Sequence, residues 1–213
     1  LNVGGVIETA SWKDQPDAIL LAWQGGQEGG NSAAELLSGN VNPSGKLPVT
    51  FPMNLSDHAS TQNFPQDGEQ QTILGLINNM MLGNKKARPE GKKIKNKDYT
   101  NYEEGIYVGY RHFDKAGLDV AYPFGHGLSY TDFVYSSAAV TLEKDSILIS
   151  VKIQNTGKRS GKEVVQVYVS KSNSTIDRPL QELKAFTKTN GLKPNATEEL
   201  QINIAVSDIR YWD

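Results

Sequence analysis

Ala22–Pro52 reads AWQGGQEGGNSAAELLSGNVNPSGKLPVTFP, and its succession of apolar run, glycine turn, amphipathic helix and proline-bearing strand decides the fold. The run leading into it, Asp17 to Trp23, is continuously apolar after its first residue, the pattern of a strand buried on both faces. Gly25-Gly26 lets the backbone turn sharply, because glycine tolerates positive φ. Glu28 stands where a helix begins, and the unpaired N–H groups and dipole there favour a carboxylate. Ala33, Ala34, Leu36 and Leu37 form the apolar stripe of that helix, and Gly39 ends it. Asn42-Pro43-Ser44-Gly45 is turn chemistry. Leu47–Phe51 is short and carries Pro48, which suits a sheet edge. Working outward, Leu1–Ile7 reads as the end of another parallel strand and Glu8–Asp14 as a short helix with Trp12 packed inward. Strand and helix in alternation is the mark of an α/β layered fold. Two or three strands are too few for a complete sheet, so the chain is expected to start inside a larger domain.

Gly25-Gly26-Gln27-Glu28-Gly29-Gly30 differs from a phosphate-binding loop: no lysine follows, and the acid in its middle repels phosphate. The 213 residues carry a net charge of −2, which supports neither a nucleic-acid partner nor an anionic membrane surface. No apolar run approaches the roughly 18 residues of a membrane-spanning helix. There is no cysteine, which excludes disulfides and thiolate metal sites. At 38% hydrophobic and 22% charged residues, the composition is that of one or two globular domains.

Residues 59–101 change character. Thr72–Leu82 is apolar and suits a helix. Lys85–Lys97 holds seven basic residues, with no aromatic residues between them to stack on bases, and reads as a solvated loop. Gly105 and Gly109 predict an extended Tyr102–Tyr110, with Tyr102, Tyr107 and Tyr110 anchoring the connection between domains. Pro123, Gly125 and Gly127 predict a turn-rich crossing over Tyr122–Tyr130. From Asp132 the pattern is all-β. Strands are expected over 133–135, 138–142, 147–153, 163–169, 183–187 and 198–206, with turn signals at Asn155-Thr156-Gly157 and Lys193-Pro194-Asn195. Short strands at this spacing predict a β-sandwich. Asn54, Asn173 and Asn195 sit in glycosylation sequons, which matter in a secreted eukaryotic protein.

Four blocks, in order, resemble one family. They are Trp23–Pro52, Tyr102–Arg111 (YEEGIYVGYR), Tyr122–Tyr130 (YPFGHGLSY) and Arg178–Phe186 (RPLQELKAF). Together they resemble the carboxyl-terminal part of glycoside hydrolase family 3, in its bacterial β-glucosidase branch. The resemblance implies the C-terminal part of a parallel-sheet α/β sandwich domain over residues 1–131, with an insertion or linker at about residues 59–101, where the family's connection is variable. A fibronectin type III-like β-sandwich over residues 132–213 follows, truncated at its C-terminus. A truncated sandwich would expose a sheet edge.

The resemblance also implies a retaining β-glycosidase that releases sugars from the non-reducing end of β-linked glucosides, without a cofactor. Its implied partners are a gluco-oligosaccharide or glucoside and an N-terminal catalytic barrel of the same protein. Retention requires two carboxyl groups flanking the glycosidic bond. The family's nucleophile is an Asp in an Asp-Trp motif of that barrel. Here the three tryptophans, Trp12, Trp23 and Trp212, follow Ser11, Ala22 and Tyr211. The barrel's Lys-His sugar clamp is absent too, since His58, His112 and His126 follow Asp57, Arg111 and Gly125. Nucleophile and acid/base are both expected upstream of Leu1. Gly68-Glu69 imitates the family's acid/base dipeptide but has no strand to position it. Trp23, Gln27 and Glu28 remain as substrate-contact candidates, weighed against packing for Trp23 and helix capping for Glu28. His126 has no second ligand at metal spacing, so no metal site is expected. Two alternatives stay open. One is a parent acting on β-xylosides or similar sugars, a related exo-glycosidase; pocket residues decide that, and they are expected outside this stretch. A free-standing carbohydrate- or protein-binding module would need a surface row of aromatics, whereas Phe133, Tyr135, Tyr168 and Phe186 fit a core.

Overall fold

The computed structural model describes residues 1–62 and 101–211. The expected helix over Thr72–Leu82, the basic run Lys85–Lys97, Glu69 and Trp212 lie outside the described residues. The elements run α1 (Gly29–Ser38), β1 (Phe51–Pro52), α2 (Tyr110–Ala116), β2 (Val120–Tyr122), β3 (Phe133–Leu142), β4 (Ser146–Asn155), β5 (Val164–Val169), β6 (Glu182–Lys188) and β7 (Thr197–Ala205).

The amino-terminal part is α/β in character but carries less sheet than its apolar runs predict. Leu1 N donates to Leu20 O at 2.6 Å and Ala22 N donates to Leu1 O at 2.9 Å, the exchange of a parallel pair. The pairing goes no further, and Ile19, Leu20 and Leu21 are half-buried rather than covered on both faces. A parallel ladder propagates only where further strands and covering helices flank it, and none does so among the described residues. Glu8–Asp14 forms one tight turn rather than a helix. Trp12 N and Lys13 N both donate to Thr9 O, and the Trp12 indole donates to Glu8 O at 3.0 Å. The predicted strand at Leu47–Phe51 shortens to β1, which pairs antiparallel with β2.

Helix α1 ends as the sequence requires. Gly39 is left-handed at φ 75°, and its N–H donates to Leu36 O at 3.0 Å. Only Ala33 and Leu36 of the predicted stripe turn inward, and Leu37 is 73% exposed. A Cβ at Gly39 would lie 2.6 Å from an Arg159 guanidinium nitrogen that bonds the Gly39 carbonyl. Gly39→Ala is therefore expected to cost about 1–2 kcal/mol, from left-handed strain on a side chain with a Cβ. Urea denaturation measures it.

Tyr102–Tyr110 is not extended. Residues 103–106 form a turn, and Tyr110 opens α2. The glycines bracket helix α2 rather than interrupt one: Gly109 enters it at φ 59° and Gly117 leaves it left-handed at φ 60°. Single glycines at positive φ are cap positions as readily as helix breakers.

The carboxyl-terminal part is the predicted sandwich. One sheet has the order β3-β4-β7, the other pairs β5 with β6, and every pairing is antiparallel. Inward residues alternate along β7, where Leu200, Ile202 and Ile204 are buried and Gln201 and Asn203 are exposed. The core joins Leu200 and Ile202 to Val151 and Ile153 of β4, Val165 of β5, and Leu192. The two short strands expected over 133–142 are one bulged strand. Ser137, at φ 53°, lets β3 resume pairing with β4 beyond the irregularity. At its far end Val140 and Leu142 are 70% and 75% exposed. Tyr135 (47%) and Phe186 (69%) are exposed, not in the core; Phe186 sits opposite Gln166 on β5. Phe133 and Tyr168 are half-buried.

Candidate functional site

The turn Trp23–Glu28 follows the carboxyl end of the Leu20–Ala22 segment, where open α/β sheets bind ligands. Trp23 is in the left-handed region at φ 53°, a strained setting for a bulky residue. Its ring packs 6.3 Å from that of Phe51 on β1. Gln24 lies over Gly4, where an added Cβ would meet its amide nitrogen at 2.7 Å. Gln27 and Glu28 are exposed. Glu28 occupies the N-cap position of α1, yet no backbone N–H bonds its carboxylate. It accepts instead from the Asn31 side-chain amide at 2.6 Å. Trp23, Gln27 and Glu28 thus lie on one turn, with Trp23 and Glu28 each engaged by a neighbour.

A general acid for glycoside cleavage needs a carboxyl group raised toward neutral pH. Glu8 and Asp177, both displaced from their ordinary values, go the other way. The Ser11 hydroxyl and amide hold Glu8 below its ordinary value. The Lys115 ammonium, and then the Tyr107 hydroxyl, hold Asp177 below its own. A groove of about 470 Å³ between β6 and β7, lined by Lys184, Phe186, Thr187, Gln201 and Asn203 among others, contains no carboxylate. No cluster of three or more His, Cys, Asp or Glu residues suits a metal among the described residues. His58 and His112 are neighbours, but the His112 Nε2 is 2.9 Å from the Asp57 carbonyl and His58 packs edge-on to Phe113. No helix among the described residues is long and apolar enough to cross a membrane.

The four motif blocks instead build the junction between the α/β part and the sandwich. Asn42 is one hub. Its Oδ1 accepts from Ser129 Oγ and Tyr130 N, both at 2.9 Å, while its Nδ2 donates to Ser160 O at 3.0 Å. Lys46 is a second, donating to Gly127 O at 2.8 Å and pairing with Glu163 at 3.3 Å, both side chains mostly buried. Glu163 also accepts from the Tyr135 hydroxyl, whose pKa burial and this bond push up. The RPLQELKAF block, with Asp177 just before it, clamps α2. Arg111 pairs with Glu182 at 3.3 Å, Gln181 donates to Asp114 at 2.9 Å, Lys115 pairs with Asp177 at 2.6 Å, and the Tyr110 hydroxyl accepts from Leu183 N at 2.8 Å. Tyr110, packed on Phe124 and Tyr168, is thus an anchor, and Tyr107 lies under the Lys115 ammonium. Tyr102 is 80% exposed and takes no part in that anchoring. Asn42, Lys46 and Glu163 were not singled out from the sequence. A polar turn and a strand-end acid carry no local signal for partners more than eighty residues away.

Residues 1–110 match the family model described as the glycosyl hydrolase family 3 C-terminal domain, and residues 163–213 match that of the fibronectin type III-like domain. Among curated proteins, beta-glucosidase A of Butyrivibrio fibrisolvens is 38% identical over 100% of this chain and 25% of its own length. The thermostable beta-glucosidase B of Acetivibrio thermocellus is 41% identical over 83% of this chain and 20% of its own length. Among solved structures, beta-glucosidase 3B from Thermotoga neapolitana in complex with glucose superposes with a TM-score of 0.82. It shares 43% identity over 98% of this chain and 26% of that one. Beta-glucosidase from Kluyveromyces marxianus in complex with glucose gives a TM-score of 0.78 at 34% identity, covering 97% and 21%. The chain thus spans about a quarter or less of the length of the relatives it matches.

Proposed function

The chain belongs to glycosyl hydrolase family 3, and from that membership we propose that it is the carboxyl-terminal region of a retaining β-glucosidase. In this reading it ends the α/β domain and supplies the fibronectin type III-like sandwich, with the boundary between Thr131 and Asp132. The catalytic nucleophile and acid/base come from an earlier part of the same polypeptide, as does the barrel that buries the sugar. The substrate is a β-linked glucoside or gluco-oligosaccharide. The observation that carries the reading is the likeness to β-glucosidases along the whole chain, 38% identical over all of it in one relative. Glucose bound in two of the similar structures supports the sugar class.

On this account the chain orients and braces rather than reacts. Trp23, Gln27 and Glu28 are its candidates for approaching the sugar, because they share the turn at a carboxyl strand end. The whole protein is expected to hydrolyse 4-nitrophenyl β-glucoside in preference to the β-xyloside, with retention read by NMR of the first-formed anomer. Glu28→Gln in that protein should lower kcat/KM by less than about tenfold. Loss of a general acid–base group typically costs about 10²–10⁴-fold. Preference for the xyloside, or a loss in that larger range, would overturn the assignment.

A further inference from the structure

We propose that the Tyr122–Tyr130 strap is an acid-sensitive latch between the α/β part and the sandwich, with His126 as its sensor. The strap is tied on both sides. Leu47 N donates to His126 O and Gly125 N donates to Leu47 O, each at 2.7 Å, which joins it to the loop after α1. Gln166 of β5 donates to Gly125 O at 3.1 Å, which joins it to the sandwich. The fit has no slack: a Cβ at Gly127 would lie 2.3 Å from Gly45 O.

The His126 ring is half-buried and stacked on Tyr122 of β2, with centroids 5.4 Å apart at 28°. The charge acting on it is the Lys46 ammonium, reaching in from the loop to bond the next carbonyl, Gly127 O. Glu163, at the start of β5, is committed to Lys46 and to the Tyr135 hydroxyl. Tyr122 brings no charge, and no carboxylate among the described residues bonds the ring. Protonation would put a second cation beside Lys46 in a half-buried site with nothing to neutralise it.

Burial first, then Lys46, therefore hold His126 below its ordinary value of 6.5 in the folded chain. The sign follows from linkage. Above 6.5 both states are neutral there and the latch is fully stable. As pH falls below 6.5 the unfolded chain takes the proton first, and stability is lost down through the folded value. His58 is lowered as well, by burial and His112 against Asp57, so it serves as the control.

The test compares thermal midpoints of the 213-residue chain at pH 7.5 and 5.0. The wild type is expected to lose about 2–4 °C more than His126→Gln on acidification. His58→Gln should keep the His126 share, and Lys46→Met should shrink it. By NMR, the His126 ring should titrate below 6.5, and the amides of Gly125, Gly127 and Gln166 should shift with the same midpoint. If His126→Gln does not fold, the wild-type titration alone decides. A His126 midpoint at or above 6.5, amides that stay still, or a variant as acid-sensitive as wild type would each overturn the latch.

Discussion

Asn155→Leu is expected to destabilise the chain by about 3–5 kcal/mol, lowering its thermal midpoint by roughly 10 °C. Asn155 is 0% exposed at the end of β4. Its side chain uses both ends. Oδ1 accepts from Thr131 Oγ1 at 2.7 Å and from Gly157 N at 3.1 Å. Nδ2 donates to Arg159 O at 2.7 Å and Leu192 O at 2.8 Å. One amide thus satisfies groups from the segment before β3, the loop after β4 and the loop before β7. Leucine keeps the branched shape but its two methyl groups are bulkier than the amide oxygen and nitrogen, so the change opens no cavity and adds some crowding. It leaves polar groups without partners in a dry site, and each such orphan costs about 1–3 kcal/mol. Asn155→Asp should be as damaging at neutral pH, because it turns a carboxylate oxygen toward two carbonyls. A midpoint within 2 °C of wild type for the leucine variant, about 1 kcal/mol or less, would show that water replaces the amide.

The same residue shows where the sequence was legible and where it was not. Asn155-Thr156-Gly157 reads locally as a turn, and the chain bends after β4 at that place. The partners at Thr131 and Leu192 are non-local, and nothing within the tripeptide specifies them. Period-two alternation is local information, so the strand expected over 198–206 is β7, Thr197–Ala205. Alternation does not report a bulge, hence the split expected in β3. Nor does it report which face another sheet covers, hence the misjudged Phe186. The apolar run Asp17–Trp23 illustrates a third limit. Its composition suits a doubly buried parallel strand, but a ladder depends on its neighbours, and here it shares only the exchange with Leu1. For the candidate site, the turn itself was legible. The Trp23–Phe51 packing, the Asn31 partner of Glu28 and the Lys46–Glu163 tie all arise from the folded chain.

The second large effect is on turnover. The described residues brace a junction, and the function proposed above places the two carboxylates of retaining chemistry, about 5 Å apart across one bond, in an earlier part of the polypeptide. The 213-residue chain alone is therefore expected not to hydrolyse aryl β-glucosides. A single exposed acid such as Glu28 supplies at most general-acid help of about 10²–10⁴-fold. Enzymes typically accelerate reactions by about 10⁶-fold or more. Without a barrel to orient the sugar, even that help is lost. The decisive measurement is the rate of 4-nitrophenyl β-glucoside hydrolysis by the purified chain beside the whole protein, at equal molar concentration. The account predicts background hydrolysis from the chain and rapid turnover from the whole protein. Turnover by the chain near that of the whole protein, abolished by Glu28→Gln, would contradict it and move the active site into residues 1–213.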